Sequence, residues 1–228
     1  MDLPFDLRCD PPFLVASFPE VHHVLSWSLT RPGFQTTATV AWIELRNADL
    51  PLDADPIALI SERLAAASLA DAVAMATSRT IEAHHLAQVT VEDVTATCLA
   101  TVGLSNGERV GQRLSEPIPF GTINILAHVD RPLSQAALIE GVSIVASART
   151  TAVLDSGARR AGVAITGTGT DCIVIAAPIG EPCDAHAGMH TAAGEAIGAA
   201  VYRAIAEGTE QWRLDFAALL ARANAKST

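Results

Sequence analysis

Apolar and polar positions alternate around residues 38–43. Ala38, Val40 and Trp42 fall on one side and Thr39, Ala41 and Ile43 on the other, as a strand requires. The surrounding stretch, SWSLTRPGFQTTATVAWIELRN, reads as two strands joined by a turn at Pro32-Gly33. Residues 53–78 change to a helical period. Asp55 can cap a helix, Pro56 suits its first position, and Ile57, Ile60 and Leu64 share a face. Residues 86–103, rich in Val and Thr, read as two strands or one interrupted strand. TINILAHVD follows as a strand, with Ile123, Ile125, Ala127 and Val129 facing one way and Asn124, Leu126, His128 and Asp130 the other. Ser134 then caps a long helix with an apolar stripe of Leu138, Val142 and Val145, and Gly157 ends it. AITGTGTDCIVIAAP, residues 164–178, reads as strand, loop, strand. A last strong helix begins near Thr191 with Ile197, Val201 and Ile205 on one face, and Gly194 and Gly198 four apart to admit a close neighbour. The tail from about Trp212 reads as a short, fraying helix.

Strands and helices alternate without strict pairing, and no linker-like shift in composition interrupts them. The expectation is one domain over residues 1–228, α/β or α+β, with a mixed sheet and helices packed on it. The loop LSNGERVGQRLSEPIPFG, residues 104–121, is long for a compact domain, and long loops often carry function.

Charge narrows the partners. A formal net charge of -10 and a pI near 5.0, with no Lys/Arg block, argue against nucleic acid and against anionic membranes. No uncharged apolar run approaches the roughly 20 residues that span a bilayer, and MDLPFDLRCDPP lacks a signal peptide's apolar middle, so a cytoplasmic protein is expected. Cys9, Cys98, Cys172 and Cys183 show no C-x-x-C spacing and read as reduced thiols.

TGTGTD is the densest chemical signal. It is not a dinucleotide fingerprint, because GTGTD lacks the third glycine and is followed by CIVIAAP, a strand rather than a helix. No P-loop lysine motif occurs in the chain. Gly167 and Gly169 allow a ligand close to the backbone, and Thr166, Thr168, Thr170 and Asp171 supply hydroxyls and a carboxylate. HAGMHTAAGE places His186, His190 and Glu195 at a spacing that matches no established metal motif. His22, His23, His84 and His85 read as surface or edge residues.

Four segments occur in a telling order: GTINILAHVDRPLS, SARTTAVLDSG, AITGTGTDCIVIAAP and HTAAGEAIGAAVYRAI, with TCLATVGLSNGERVG upstream. In this the chain resembles the adenosylcobinamide amidohydrolases of corrinoid salvage, over roughly residues 20–207. The resemblance implies hydrolysis of the amide that joins aminopropanol to the corrin ring, giving adenosylcobyric acid and 1-amino-2-propanol. It implies a corrinoid substrate and no cofactor, with a divalent metal and a homo-oligomer left open. Two departures stand out: Arg149 where the family pattern has lysine, and a poor match in LTRPGFQTTATVAWIEL. A corrinoid-binding protein without catalysis and a hydrolase of another linear amide are the alternative readings.

Amide hydrolysis needs a nucleophile, an oxyanion donor and a proton for the leaving amine. Asp171 is the candidate base or water-positioning group and His190 the candidate proton donor, while Thr168 or Thr170 is the candidate nucleophile if water is not. Backbone N–H groups at Gly167 and Gly169, or near Thr191, are candidate oxyanion donors. Asn124, Ser105, Asn106, Glu195 and Arg149 complete the expected substrate-binding set.

Overall fold

Val/Thr-rich segments and three capped helices build a strongly bent sheet with helices on its outside. The computed structural model describes residues 2–46, 49, 55–112 and 121–226. In chain order these form β1 (Asp6–Asp10), β2 (Phe13–Ser26), β3 (Gly33–Glu44), α1 (Pro56–Ala66), β4 (Val73–Thr77), a 3-10 turn (Ile81–Ala83), β5 (His84–Val91) and β6 (Val94–Val102). There follow β7 (Gly107–Glu108), β8 (Ile123–Val129), α2 (Gln135–Asp155), β9 (Arg159–Arg160), β10 (Val163–Ala164), β11 (Gly167–Thr168), β12 (Cys172–Pro178) and α3 (Ala192–Lys226). The main sheet runs β4-β3-β2-β12-β8-β6-β5, with β1 added on β2. It is mixed: β8 and β12 pair in parallel through the α2 crossover, β3 and β4 in parallel through α1, and the other pairs are antiparallel. This is the expected single α/β domain.

Three apolar layers follow from the period-two pattern. Ile123, Ile125, Ala127 and Val129 of β8 meet Leu138 and Val145 of α2 and Ile197, Val201 and Ile205 of α3. On the other face, Leu126 and Val174 meet Phe18, Val40, Trp42 and Met75, because the two halves of the sheet fold toward each other. Ala41 and Ile43 point outward under Ile60 and Leu64 of α1. The bend explains why β8 is buried along its whole length, where its sequence alone suggests one polar face.

α2 starts at its expected cap, and α3 starts near Thr191 as expected. Ser134 accepts from the Ala137 N–H, and the Thr191 hydroxyl accepts from the Gly194 N–H, each at 3.0 Å. Asp55 caps α1 by accepting from the Ile57 N–H at 2.9 Å. A Cβ on Gly194 would stand 2.1 Å from the Gly188 carbonyl oxygen, so the close approach expected there is real, whereas Gly198 has only ordinary contact with Ile144.

Three readings change. The helix expected over 53–78 ends at Ala66, and Val73–Thr77 is a strand paired with β3; of that range, 53 and 54 lie outside the described residues. LADAVAMAT favours helix locally, but alternate burial of its side chains between two cores overrides that preference. Val142 is only partly buried on α2. The tail from Trp212 is no separate helix but the continuation of α3. Helix α2 has the length and composition to cross a membrane. It carries Glu140 and Arg149 and packs Leu138, Val145 and Val153 into the helix-side core, as a core helix does.

Candidate functional site

The site is built where β8 and β12 begin, side by side. Gly167 and Thr168 pair as β11 with β7, and the chain turns through Gly169 and Thr170 into β12. Asp171 closes this turn. Its Oδ1 accepts from the Ile123 N–H at 3.1 Å and from the Thr168 hydroxyl. Its Oδ2 accepts from the Thr168 N–H at 3.0 Å and from the Arg149 guanidinium. The Asp171 side chain is 6% exposed and that of Arg149 16%. Burial lowers the pKa of Arg149, but a guanidinium keeps its charge at any physiological pH. Gly167 is required by this pair: a Cβ there would lie 2.5 Å from Asp171 Oδ2 and 2.8 Å from Arg149 Nη1.

Asp171 is therefore bound on both oxygens by four donors and faced by a cation. Through these four bonds the carboxylate ties the turn to β8 and to α2. Arg149, expected to bind substrate, is its counter-charge. The Thr168 hydroxyl donates to the same carboxylate.

A second set of bonds fixes the turn from the side. Asn106 Nδ2 donates to Thr170 Oγ1 at 3.3 Å, and Thr170 Oγ1 donates to the Gly121 carbonyl at 2.9 Å. The Thr122 hydroxyl lies 2.9 Å from the Thr170 carbonyl and 3.0 Å from Asn124 Oδ1. Asn124 Nδ2 donates to the Ala76 carbonyl of β4 at 2.7 Å, which ties the two halves of the bent sheet together. Asn124 is thus engaged at both ends of its amide and 1% exposed, a structural brace rather than a substrate contact. The Trp27 indole N–H donates to the Asp171 carbonyl at 2.9 Å from the β2–β3 connection.

Beside this turn lies a groove in two lobes. One, about 430 Å³, is largely apolar and is lined by Trp27, Leu29, Leu45 and Met75 opposite Gly169–Cys172. The other, about 490 Å³, lies between Ser78–Thr80, Ser105 and one face of α3. Ser78 and Gly121 border both lobes. Volumes of this size suit a large organic ligand. Cys172 also borders the first lobe, but burial pushes its thiol pKa up to about 11, so it is protonated at neutral pH. The sequence reading missed the Trp27 and Met75 side of the groove and the α3 side, because these segments meet only when the sheet bends. The exposed bulky residues Trp27 and Leu29 next to a turn were the available signal. Of the long loop 104–121, Ser105 and Asn106 reach the site, while residues 113–120 lie outside the described residues.

His190, Thr191 and Glu195 are elsewhere. The parallel strand β12 carries the chain away from Asp171 for seven residues, about 20 Å. Beyond its far end Asp184 bridges to Leu133, the Ala187 N–H donates to Glu140 near the start of α2, and α3 begins. His190 is exposed there, so it does not share a site with Asp171. His186 approaches Glu140 at 3.6 Å, and no three His, Cys, Asp or Glu side chains gather in a metal-binding arrangement among the described residues. All four cysteines are free thiols.

The histidines hold another correction. His22 and His85 are buried, although His85 does lie on β5 at the edge of the sheet. His22 Nδ1 donates to the Glu20 carbonyl at 2.9 Å, so its Nε2 is bare and accepts from His128 Nε2 at 3.2 Å. This leaves His128 Nδ1 buried without a partner, under the stacked ring of Phe18. Burial, with His22 adding repulsion, pushes the His128 pKa down to about 3, and burial lowers that of His22. The unfolded chain therefore binds more protons than the native one below pH 6.5. Stability is expected to be full above that pH and to fall as pH drops from about 6.5 toward about 3. Melting temperature against pH measures this, and His128→Leu should flatten the acid limb; an unchanged limb would show that other groups set it.

Comparison with known proteins follows this geometry. A family model described as adenosylcobinamide amidohydrolase matches residues 5–215. No curated protein matches the sequence significantly. Among solved structures, the chain is similar to the PH0078 protein from Pyrococcus horikoshii OT3, with 12% identity and a TM-score of 0.46 over 86% of this chain and 76% of that one.

Proposed function

This chain belongs to the adenosylcobinamide amidohydrolase family, and from that premise we propose that the groove beside TGTGTD is where it cleaves its substrate. The family hydrolyses an amide bond of adenosylcobinamide in cobinamide salvage. In our reading the corrin ring lies across the apolar lobe of Trp27, Leu29, Leu45 and Met75, and the aminopropanol amide reaches the turn at Gly169 and Thr170. The Gly169 backbone N–H polarises the carbonyl. Water attacks, one of its protons passes to the leaving amine, and the C–N bond breaks to give adenosylcobyric acid and 1-amino-2-propanol. Asp171, Arg149 and Thr168 hold the turn; Asn106 orients the Thr170 hydroxyl; Ser105 contacts the substrate from the second lobe. The corrinoid is substrate, its cobalt included, and no cofactor takes part. Four unpaired thiols favour a reducing compartment, the cytoplasm.

The observation that carries this reading is the buried Asp171–Arg149 pair, which fixes a glycine turn at the mouth of a groove large enough for a corrinoid arm. The test is incubation of purified, chelator-treated protein with adenosylcobinamide, followed by mass analysis. Adenosylcobyric acid and aminopropanol are expected. No product, before or after divalent metal is restored, would leave a corrinoid-binding protein instead.

A further inference from the structure

Resting on that reading, we propose that the second lobe of the groove is a nucleoside subsite, which takes the adenosyl group of the substrate on an aromatic platform of α3. Trp212, Asp215, Phe216, Leu219 and Arg222 all line this lobe, at spacings of three and four residues that put them on one helix face. Trp212 and Phe216 are stacked, with ring centroids 4.9 Å apart and planes 14° from parallel. A planar base adds to such a stack through its own π-face. Asp215 stands between the two rings in sequence and is fixed by Arg79 across the lobe and by Gln211 Nε2 at 2.9 Å. Its side chain is still 41% exposed, and a carboxylate with spare lone pairs accepts hydrogen bonds from ribose hydroxyls.

The first lobe has no comparable set. Trp27 is the one aromatic residue in its lining, and its polar residues, Thr77, Ser78, Thr122, Thr170 and Asp171, gather at the strand ends around the turn that meets the amide. Ser78 and Gly121 border both lobes, so one molecule can occupy both without crossing a barrier. A corrinoid whose axial ligand is a nucleoside has the two unlike parts that two unlike lobes need. The α3 tail, which the sequence presents as a fraying end, thereby becomes the part that distinguishes adenosylated from non-adenosylated corrinoids.

Equilibrium dialysis, read by corrinoid absorbance, tests this without turnover. The probes are adenosylcobinamide, dicyanocobinamide, which lacks the nucleoside, and adenosine. Trp212→Ala is expected to weaken adenosylcobinamide binding about 10-fold or more, with dicyanocobinamide changed less than about twofold. Adenosine at high concentration should displace only the adenosylated ligand's advantage. Phe216→Ala and Asp215→Asn, on the more exposed part of the same face, carry the same comparison if Trp212→Ala does not fold. Equal losses for both corrinoids, or no loss for either in a folded variant, would overturn the subsite. Failure of the wild type to bind either corrinoid would instead overturn the placement of the substrate in this groove.

Discussion

Arg149→Ala is expected to lower the melting temperature by about 10 °C and to abolish amide hydrolysis. The substitution leaves the Asp171 carboxylate 6% exposed without its counter-charge. Breaking a buried ion pair from one side costs about 3–5 kcal/mol, and each kcal/mol moves the melting temperature of a chain of this size by about 2–4 °C. The turn at Gly167–Asp171 then loses the group that anchors it to α2, and with it the position of the Gly169 N–H. Arg149→Lys should recover most of the stability, because the charge returns, but less of the rate, because a single ammonium does not reproduce the guanidinium's fixed geometry. Asp171→Asn should behave like Arg149→Ala, since an amide nitrogen would face N–H and O–H donors where an oxygen now accepts. Thermal melts and product assays on the three variants check this. A melting temperature for Arg149→Ala within about 1 °C of wild type would show that the pair does not hold the turn.

Gly169→Trp is expected to remove corrinoid binding while the fold stays intact. Gly169 is exposed, does not have positive φ, and a Cβ there meets only Glu108 Cγ at 4.0 Å. A substitution at such a position changes stability by no more than about 0.5 kcal/mol. The same residue lines the apolar lobe, so a large ring placed on it fills the space assigned to the substrate. Binding of adenosylcobinamide should fall at least about 100-fold, to the limit of detection, the result expected when a pocket is occluded. Gly167→Ala is the counterpart: it leaves the groove open but strikes the Asp171–Arg149 pair, so it should lose stability as well as rate. Wild-type binding by a well-folded Gly169→Trp variant would move the substrate away from this turn.

How much of this was legible without coordinates differs from element to element. Caps at Asp55 and Ser134 depend on residues two or three apart, and both appear where the sequence places them. Strands β5, β6, β8 and β12 carry enough β-branched residues to declare themselves, and TGTGTD announced a turn of unusual composition. The order of the four matching segments pointed to the family that the chain belongs to, and the acidic charge narrowed its partners. These are local or compositional properties, and the sequence by itself determined them.

Partnership across the fold was decided only in three dimensions. Arg149 is 22 residues from Asp171, Asn124 is 48 from Ala76, and His22 is 106 from His128. No local period records such distances. Val73–Thr77 is a strand because β3 and two apolar layers accept it, against the helical preference of its alanines. His190 follows Asp171 by fewer than 20 positions and reads as its natural partner, yet a seven-residue strand carries the chain straight away from it. Arg149 reaches Asp171 for the converse reason: α2 runs back alongside the parallel strands β8 and β12 and returns to the end where they begin. Caps and strands are set by neighbours in the chain, whereas the site is set by which ends of the strands the crossover and the bend of the sheet bring together.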